Sequence, residues 1–425
     1  MQSLFLWTGL LAWGVQVFAQ PRFDEWFEPS VLRIDWTLCG TDTTTHAYLA
    51  GLKKQPGWGG ARLQLLDTLD YGSYKVVVKD KSSGQPVYTR GFSTLFEEWQ
   101  TTAEAERFPK AFPQVIEVPY PKAPCSVTIY FRSKSQRWGT LLSFEVDPRS
   151  VGIEQVSGTI HEVKRISGNG NPERSVDLAF VAEGYTNDQL GKFYSDVERL
   201  SAFLLKQEPF NRYADRFNVW AIGVPSQESG TDDPNRGIWK NTAFNSGFNT
   251  FGTDRYLETF DLPAIHNATR GVPHDHIIVV VNTDKYGGGG VYNHFSLSSA
   301  DNKLSPIVLV HELGHGFGGL GDEYYSSEVA YTDYIDLSAE PWEPNLTTLV
   351  AFDKKWKRLV DGNTPVPTPD QRSFEDVVGV FEGGGYTAKG VYRPALDCRM
   401  KSNVAPRFCK VCQLSIENVI KSLTE

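Results

Sequence analysis

The chain reads as an α+β protein of two folded units: a β-sandwich over about residues 20–150, then a mixed-sheet domain with a prominent helix over residues 151–425. Two observations predict this. The first unit alternates short β-rich runs with turn signals and shows almost no helical periodicity, as an all-β sandwich does. The second interleaves almost wholly apolar strands with amphipathic helices, which implies a sheet covered on both faces.

Taken in order, "MQSLFLWTGLLAWGVQVFAQ" is uncharged, has an apolar stretch of signal-peptide length and ends in Val17-Phe18-Ala19, a small-residue cleavage site. Residues 1–19 are therefore read as a signal peptide and the protein as secreted, reaching the periplasm, cell surface or exterior. No Lys or Arg precedes Arg22, and a membrane anchor is the rival reading, since a span needs about 20 apolar residues. The runs "VLRIDWTL", "YGSYKVVVKD", "QPVYTRGF", "SVTIYFRS" and "LLSFEV" are sandwich strands, and "VDPRSVGIEQVSG" is a linker. Beyond it, "VDLAFVAEGYT" (176–186) is a buried strand ending in a Thr helix cap, followed by the amphipathic helix "NDQLGKFYSDVERLSAFLL". "RFNVWAIGV" (216–224) and "HIIVVVN" (276–282) are further buried strands. The net charge of -9 and the lack of a basic run exclude a nucleic-acid partner, because neutralising phosphates requires a basic face.

The chemistry concentrates in "SPIVLVHELGHGFGGLGDEYY". In a helix the four-residue step from His311 to His315 puts both imidazoles on one face, one turn apart, where they can ligate one Zn²⁺. Glu312, beside the first ligand, is then placed as general base toward a metal-activated water that attacks a peptide carbonyl. The glycines between 314 and 321 oppose continuation of the helix, since each interior Gly costs about 1 kcal/mol relative to Ala. The chain should turn near Gly318 or Gly319 and deliver a third ligand from just beyond. In the pattern His-Glu-x-x-His-x-x-Gly-x-x-His of the metzincins, that ligand follows the turning glycine by three residues. Counting from Gly318 reaches Gly321, which has no side chain; counting from Gly319 reaches Asp322, with Glu323 the alternative.

Met400 in "DCRMKS", the one methionine besides Met1, is a candidate for the apolar turn beneath such a metal. "NTDKYGGGGVYNHF" (282–295) reads either as an edge strand that pairs with an extended peptide or as a hairpin tip. Gly288, Gly289 and Tyr292 are its candidate substrate contacts, and His294 is read as a surface residue. Glu228, Asp232 and Asp233 in "PSQESGTDDPNRG" offer oxygens of the kind Ca²⁺ takes, although a capping loop explains them better. Of the five cysteines, Cys398, Cys409 and Cys412 are expected to contain a disulfide in an exported protein, and Cys39 and Cys125 lie apart. The trio falls one ligand short of a structural zinc site, with no His near.

Six blocks in order, "FSTLFEEWQTTAEA", "VDLAFVAEGYT", "EPFNRYADRFNVWAIGVPSQESGTD", "DKYGGGGVYN", "HELGHGFGGLGDEYY" and "CRMKSNVAPRFCKVC", resemble the IgA peptidase family of secreted bacterial zinc metallopeptidases. The resemblance spans about residues 25–420. It implies an immunoglobulin-like N-terminal domain, a metzincin-like catalytic domain and one catalytic zinc. His311, His315 and Asp322 would be its ligands, Glu312 the base and Met400 the Met-turn residue. It does not carry over a protein substrate. Some metzincins place a Tyr two residues after the Met, where this chain has Ser402, and Tyr292, Tyr324 and Tyr386 are alternatives for supporting the oxyanion. A different class of function, adhesion or glycan binding by the β domain beside a relic protease fold, sits poorly with an intact Glu312.

Overall fold

The computed structural model describes residues 20–325 and 334–425; the leader read over 1–19 lies outside the described residues. The protein is a mixed α+β structure with several sheets. Two four-stranded sheets form the N-terminal part. In one, Phe27–Gly40 runs between Lys110–Pro121 and Thr45–Pro56, antiparallel to both, and Ile153–Gln155 adds a short parallel strand. In the other, Pro86–Phe92, Tyr74–Asp80, Cys125–Arg132 and Trp138–Val146 pair antiparallel in that order. The two enclose one core because inward residues recur with period two. Leu32, Ile34, Trp36 and Leu38 of the first sheet pack with Tyr74, Val76, Val78, Val127 and Ile129 of the second. Each such fully buried Leu, Ile or Val contributes roughly 1.5–3 kcal/mol.

Two strands of this part escape the sequence reading. Lys110–Pro121 carries Pro113, Pro119 and Pro121, tolerated because it lies at a sheet edge. Thr45–Pro56 is largely exposed and so lacks an apolar alternation. The segment read as a linker also does more than connect, since Leu52, Lys53 and Lys54 pair with Ile153, Glu154 and Gln155.

The second part is built on a six-stranded sheet in the order Gly288–Val291, Phe295–Ser299, His276–Val281, Val176–Glu183, Phe217–Gly223, Glu162–Ser167. The four inner strands are mutually parallel and each edge strand is antiparallel to its neighbour. Burial on both faces explains their unbroken apolar runs. Leu178, Phe180 and Ala182 meet Leu200, Leu309, Leu313 and Ile416 from helices Leu190–Leu204, Ser305–Gly316 and Lys410–Thr424. Ala179 and Val181 meet Ile265 of helix Leu262–Thr269 on the other face, in a cluster that also takes Leu95 and Val115 from the N-terminal part.

The two parts are thus docked through packed and polar contacts. Buried Arg33 points away from its own core and donates to Asn267 Oδ1 at 2.7 Å. Glu117 lies between His266 Nδ1 at 3.0 Å and His274 Nε2 at 3.1 Å. Arg90 donates to Asn293 Oδ1 at 3.0 Å and the Ser93 N–H to Tyr292 O at 2.9 Å, tying the N-terminal part to the glycine-rich hairpin. His294, expected at the surface, is instead buried edge-on against Phe92, because this docking covers its loop.

Candidate active site

Helix Ser305–Gly316 starts with Pro306 in its first turn, where proline's fixed φ suits a helix start, and Val308, Leu309, Val310 and Leu313 bury it against the sheet. His311 and His315 lie one turn apart on the remaining face. The ring nitrogen Nδ1 of His311 is 2.9 Å from Arg399 O, and that of His315 is 2.7 Å from Leu320 O. A carbonyl only accepts, so each Nδ1 carries a proton and each Nε2 is left facing the cleft, free to take a metal or a second proton. The two Nε2 atoms are 3.1 Å apart.

Gly319 takes φ +65°, a left-handed conformation that glycine adopts without strain, and its N–H returns to His315 O at 3.0 Å. This turn brings Asp322 Oδ1 to 3.2 Å from both Nε2 atoms. Glu323, the next residue, is turned the other way and lies 3.1 Å from Cys412 Sγ. Gly321 faces Leu346. Three donor atoms at 3.1–3.2 Å from one another suit one ion in tetrahedral coordination, where bonds of about 2.0–2.1 Å to N and O separate ligands by about 3.3 Å. Asp322 Oδ1, deeply buried, accepts no well-directed hydrogen bond among the described residues. It is an acceptor aimed at two ring nitrogens, an arrangement that positive charge between them reconciles, whether protons on the imidazoles or a metal ion.

The electrostatics agree. Burial would raise the Asp322 carboxyl, but His315 and His311 hold it well below the usual carboxylate range. Burial would lower the His315 imidazole, but Asp322 pushes it up to about 9. The cluster therefore retains positive charge, as protons or as a metal. Glu312, in the same cleft, is pushed up by burial against the pull of His311 and His315, and Arg255 is a permanent cation that it feels.

Met400 is fully buried, and its sulfur lies against Gly314, where any side chain would collide with it. Together with the Arg399 carbonyl it floors the helix between the two histidines. Tyr386 donates its hydroxyl to Asp322 Oδ2, and Tyr324 also interacts with Asp322. Tyr292 is buried between Tyr71 and Trp342 and lines the cleft. The glycine run forms the edge strand Gly288–Val291. Its lack of side chains is required on the helix side. A Cβ at Gly288 would meet Glu312 Cγ at 2.9 Å, and one at Gly290 would overlap the Glu312 carbonyl oxygen.

These groups open on a cleft of about 1110 Å³. Sequence reasoning missed that its far wall belongs to the N-terminal part, with Glu97, Glu98, Thr101, Arg132 and Lys134. The only signal for Glu97, Glu98 and Thr101 was the acidic block "FSTLFEEWQTTAEA", whose position the sequence does not reveal. The acidic loop is explained by protein partners. Asp233 pairs with Lys285 at 3.0 Å, Asp232 accepts the Lys240 N–H at 2.6 Å and Glu228 accepts the Asn241 N–H at 2.8 Å. All five cysteines are free. Cys398 and Cys412 have their sulfurs 3.8 Å apart, against about 2.05 Å in a disulfide, so the expected bridge is not formed. Among the described residues, no helix is long and apolar enough to cross a membrane.

No curated protein matches the chain. The family model for IgA peptidase M64 matches residues 165–377 and 370–420, and the model for the peptidase M64 N-terminus matches residues 22–143. The first alone covers more than half of the sequence and includes every residue of the histidine–aspartate cluster, so the chain belongs to the IgA peptidase M64 family.

Proposed function

We propose that this peptidase is an exported zinc-dependent endopeptidase, with an immunoglobulin-like domain over residues 20–150 and a metzincin-like catalytic domain over 151–425. One observation carries the reading: His311 Nε2, His315 Nε2 and Asp322 Oδ1 converge at 3.1–3.2 Å beside Glu312 in a cleft large enough for a peptide. His311, His315 and Asp322 would hold the zinc, which would supply acidification of a water and polarisation of the scissile carbonyl. Glu312 would be the general base, holding the proton released in the attack and returning it to the leaving amine. Burial raises its carboxyl against the pull of the two imidazoles. The carbonyl groups of Arg399 and Leu320 orient the imidazoles, and Tyr386 and Tyr324 hold Asp322. The edge strand Gly288–Val291 pairs with extended substrate through its backbone, which selects little by side chain. Selectivity then falls to the N-terminal wall of the cleft.

The test compares wild type with Glu312→Ala for zinc content and casein hydrolysis. The variant is expected to keep its zinc and lose hydrolysis by at least about 100-fold, the lower end of what a general base supplies. Equal cleavage by the two proteins, or absence of zinc from both, overturns the proposal.

A further inference from the structure

On the far side of the Asp322 turn, Glu323, Cys398, Cys409 and Cys412 meet in the interior, each offering a donor atom within 4.8 Å of the others. Glu323, Cys398 and Cys412 are fully buried. Glu323 Oε1 accepts from Asn345 Nδ2 at 3.0 Å and lies 3.1 Å from Cys412 Sγ, while Oε2 has no hydrogen-bond partner among the described residues. A carboxylate taken wholly out of water needs a counter-charge or full hydrogen bonding, and the sulfurs offer Oε1 only the weak Cys412 S–H bond and Oε2 nothing.

We propose that these four residues bind a second, structural Zn²⁺, separate from the histidine–aspartate cluster. Zinc takes thiolate and carboxylate ligands in closed tetrahedral sites, and a Zn–S bond of about 2.3 Å separates two sulfurs by about 3.8 Å. Cys398 and Cys412 stand at 3.8 Å. Cys398 Sγ also accepts the Cys409 N–H at 3.1 Å, the kind of backbone bond that supports a thiolate ligand. Cys409 caps helix Lys410–Thr424, whose N-terminus favours the thiolate form. A disulfide would join two sulfurs and leave the third, with Glu323, uncompensated.

The ion would staple three stretches that frame the peptidase cleft. Glu323 follows Asp322, Cys398 precedes Met400 by two residues, and Cys409 and Cys412 start the last helix. The Glu323 N–H already donates to Met400 O at 2.9 Å, and Asn345 clamps Gly321 from both sides at 2.8 Å. The site therefore fixes the turn that presents Asp322, without touching substrate.

The test uses the full chain with His311→Ala and His315→Ala together, which removes the histidine cluster and leaves the cysteine group whole. Wild type is expected to carry two zinc ions and the double variant one. Loaded with Co²⁺, wild type and double variant should both show a thiolate-to-cobalt charge-transfer band in the near ultraviolet, which a site of two histidines and an aspartate cannot produce. The wild-type spectrum decides the matter even if the double variant fails to fold. Absence of the thiolate band, a metal-free but folded double variant, or an unreduced chain two hydrogens lighter than its sequence mass would each overturn the assignment.

Discussion

His276 and His294 make the protein acid-sensitive by an amount the structure fixes. Both are buried, at 2% and 7% exposure. His276 Nε2 lies 2.9 Å from Ser296 Oγ, which in turn donates to Glu312 O at 3.0 Å, and its Nδ1 has no partner among the described residues. His294 Nε2 likewise has none. Burial pushes each imidazole down to about 3, reinforced at His276 by Arg90, His274 and His294 and at His294 by His266. In the unfolded chain both titrate near the ordinary 6.5. Below that pH the unfolded state takes up protons that the native state refuses, so the contribution is present above 6.5 and lost as pH falls toward 3. At about 1.4 kcal/mol per pH unit, going from pH ~7 to ~5 removes about 2 kcal/mol for each histidine and about 4 for the pair. His274 is raised by Glu117 in spite of its burial and works in the opposite sense; its term, like that of any group shared by wild type and variant, cancels in a difference. Urea unfolding at the two pH values, on wild type, His276→Gln and His294→Phe, measures that difference. Each variant should lose about 2 kcal/mol less than wild type between pH ~7 and ~5, whatever its stability at neutral pH. Equal losses would show that these imidazoles accept protons in the folded state and would refute the reasoning.

Three further outcomes follow from single contacts. Tyr386→Phe removes the hydroxyl that holds Asp322 Oδ2 and should weaken zinc affinity about 10–100-fold in chelator competition, with the melting temperature of the metal-free protein little changed; unaltered affinity counts against that role. Gly290→Ala forces a methyl group onto the Glu312 carbonyl and to 3.0 Å from His315 Cβ, so it should cost about 1–3 kcal/mol and reduce hydrolysis, and a variant that melts like wild type would mean the strand can retreat. Glu117 is held well below the usual range by His266 and His274 in spite of burial, so its contribution is present above the ordinary carboxylate pKa of 4.5 and lost as pH falls. Glu117→Gln at pH ~6 should therefore destabilise the protein by about 3 kcal/mol in urea unfolding, and a neutral result would show that the interface does not depend on the charge.

The elements that the sequence made legible are those whose period or chemistry is local. Val176–Glu183 and His276–Val281 are apolar throughout because both faces of their sheet are covered, and His311, Glu312 and His315 announce themselves by helical spacing alone. The hidden parts depend on partners distant in the chain. Lys110–Pro121 is a strand only because Phe27–Gly40 lies beside it, and its prolines mask it. His294 is buried only because Phe92 arrives from the other part of the molecule. The fourth residue of the cysteine group was invisible for the same reason. A fourth zinc ligand is ordinarily a cysteine or histidine close in sequence, whereas Glu323 stands 75 positions before Cys398.

The choice between Asp322 and Glu323 looked like a question of reach, and the backbone recasts it as one of parity. Both carboxylates are within range of a cluster, but Asp322 and Glu323 leave the backbone on opposite sides, so only one faces the histidines. Gly319 sets which one, because its left-handed turn fixes the phase of the segment that follows. The other then necessarily points into the interior, where it would be an uncompensated charge unless something received it. Cys398, Cys409 and Cys412 are what it meets. The pair Asp322–Glu323 is thus a single device with two outputs, and a one-residue insertion between Gly319 and Asp322 would invert both. Asp322 would be turned toward the sulfurs and away from the histidines, so such an insertion should damage the two clusters together, whereas Asp322→Ala should damage only one.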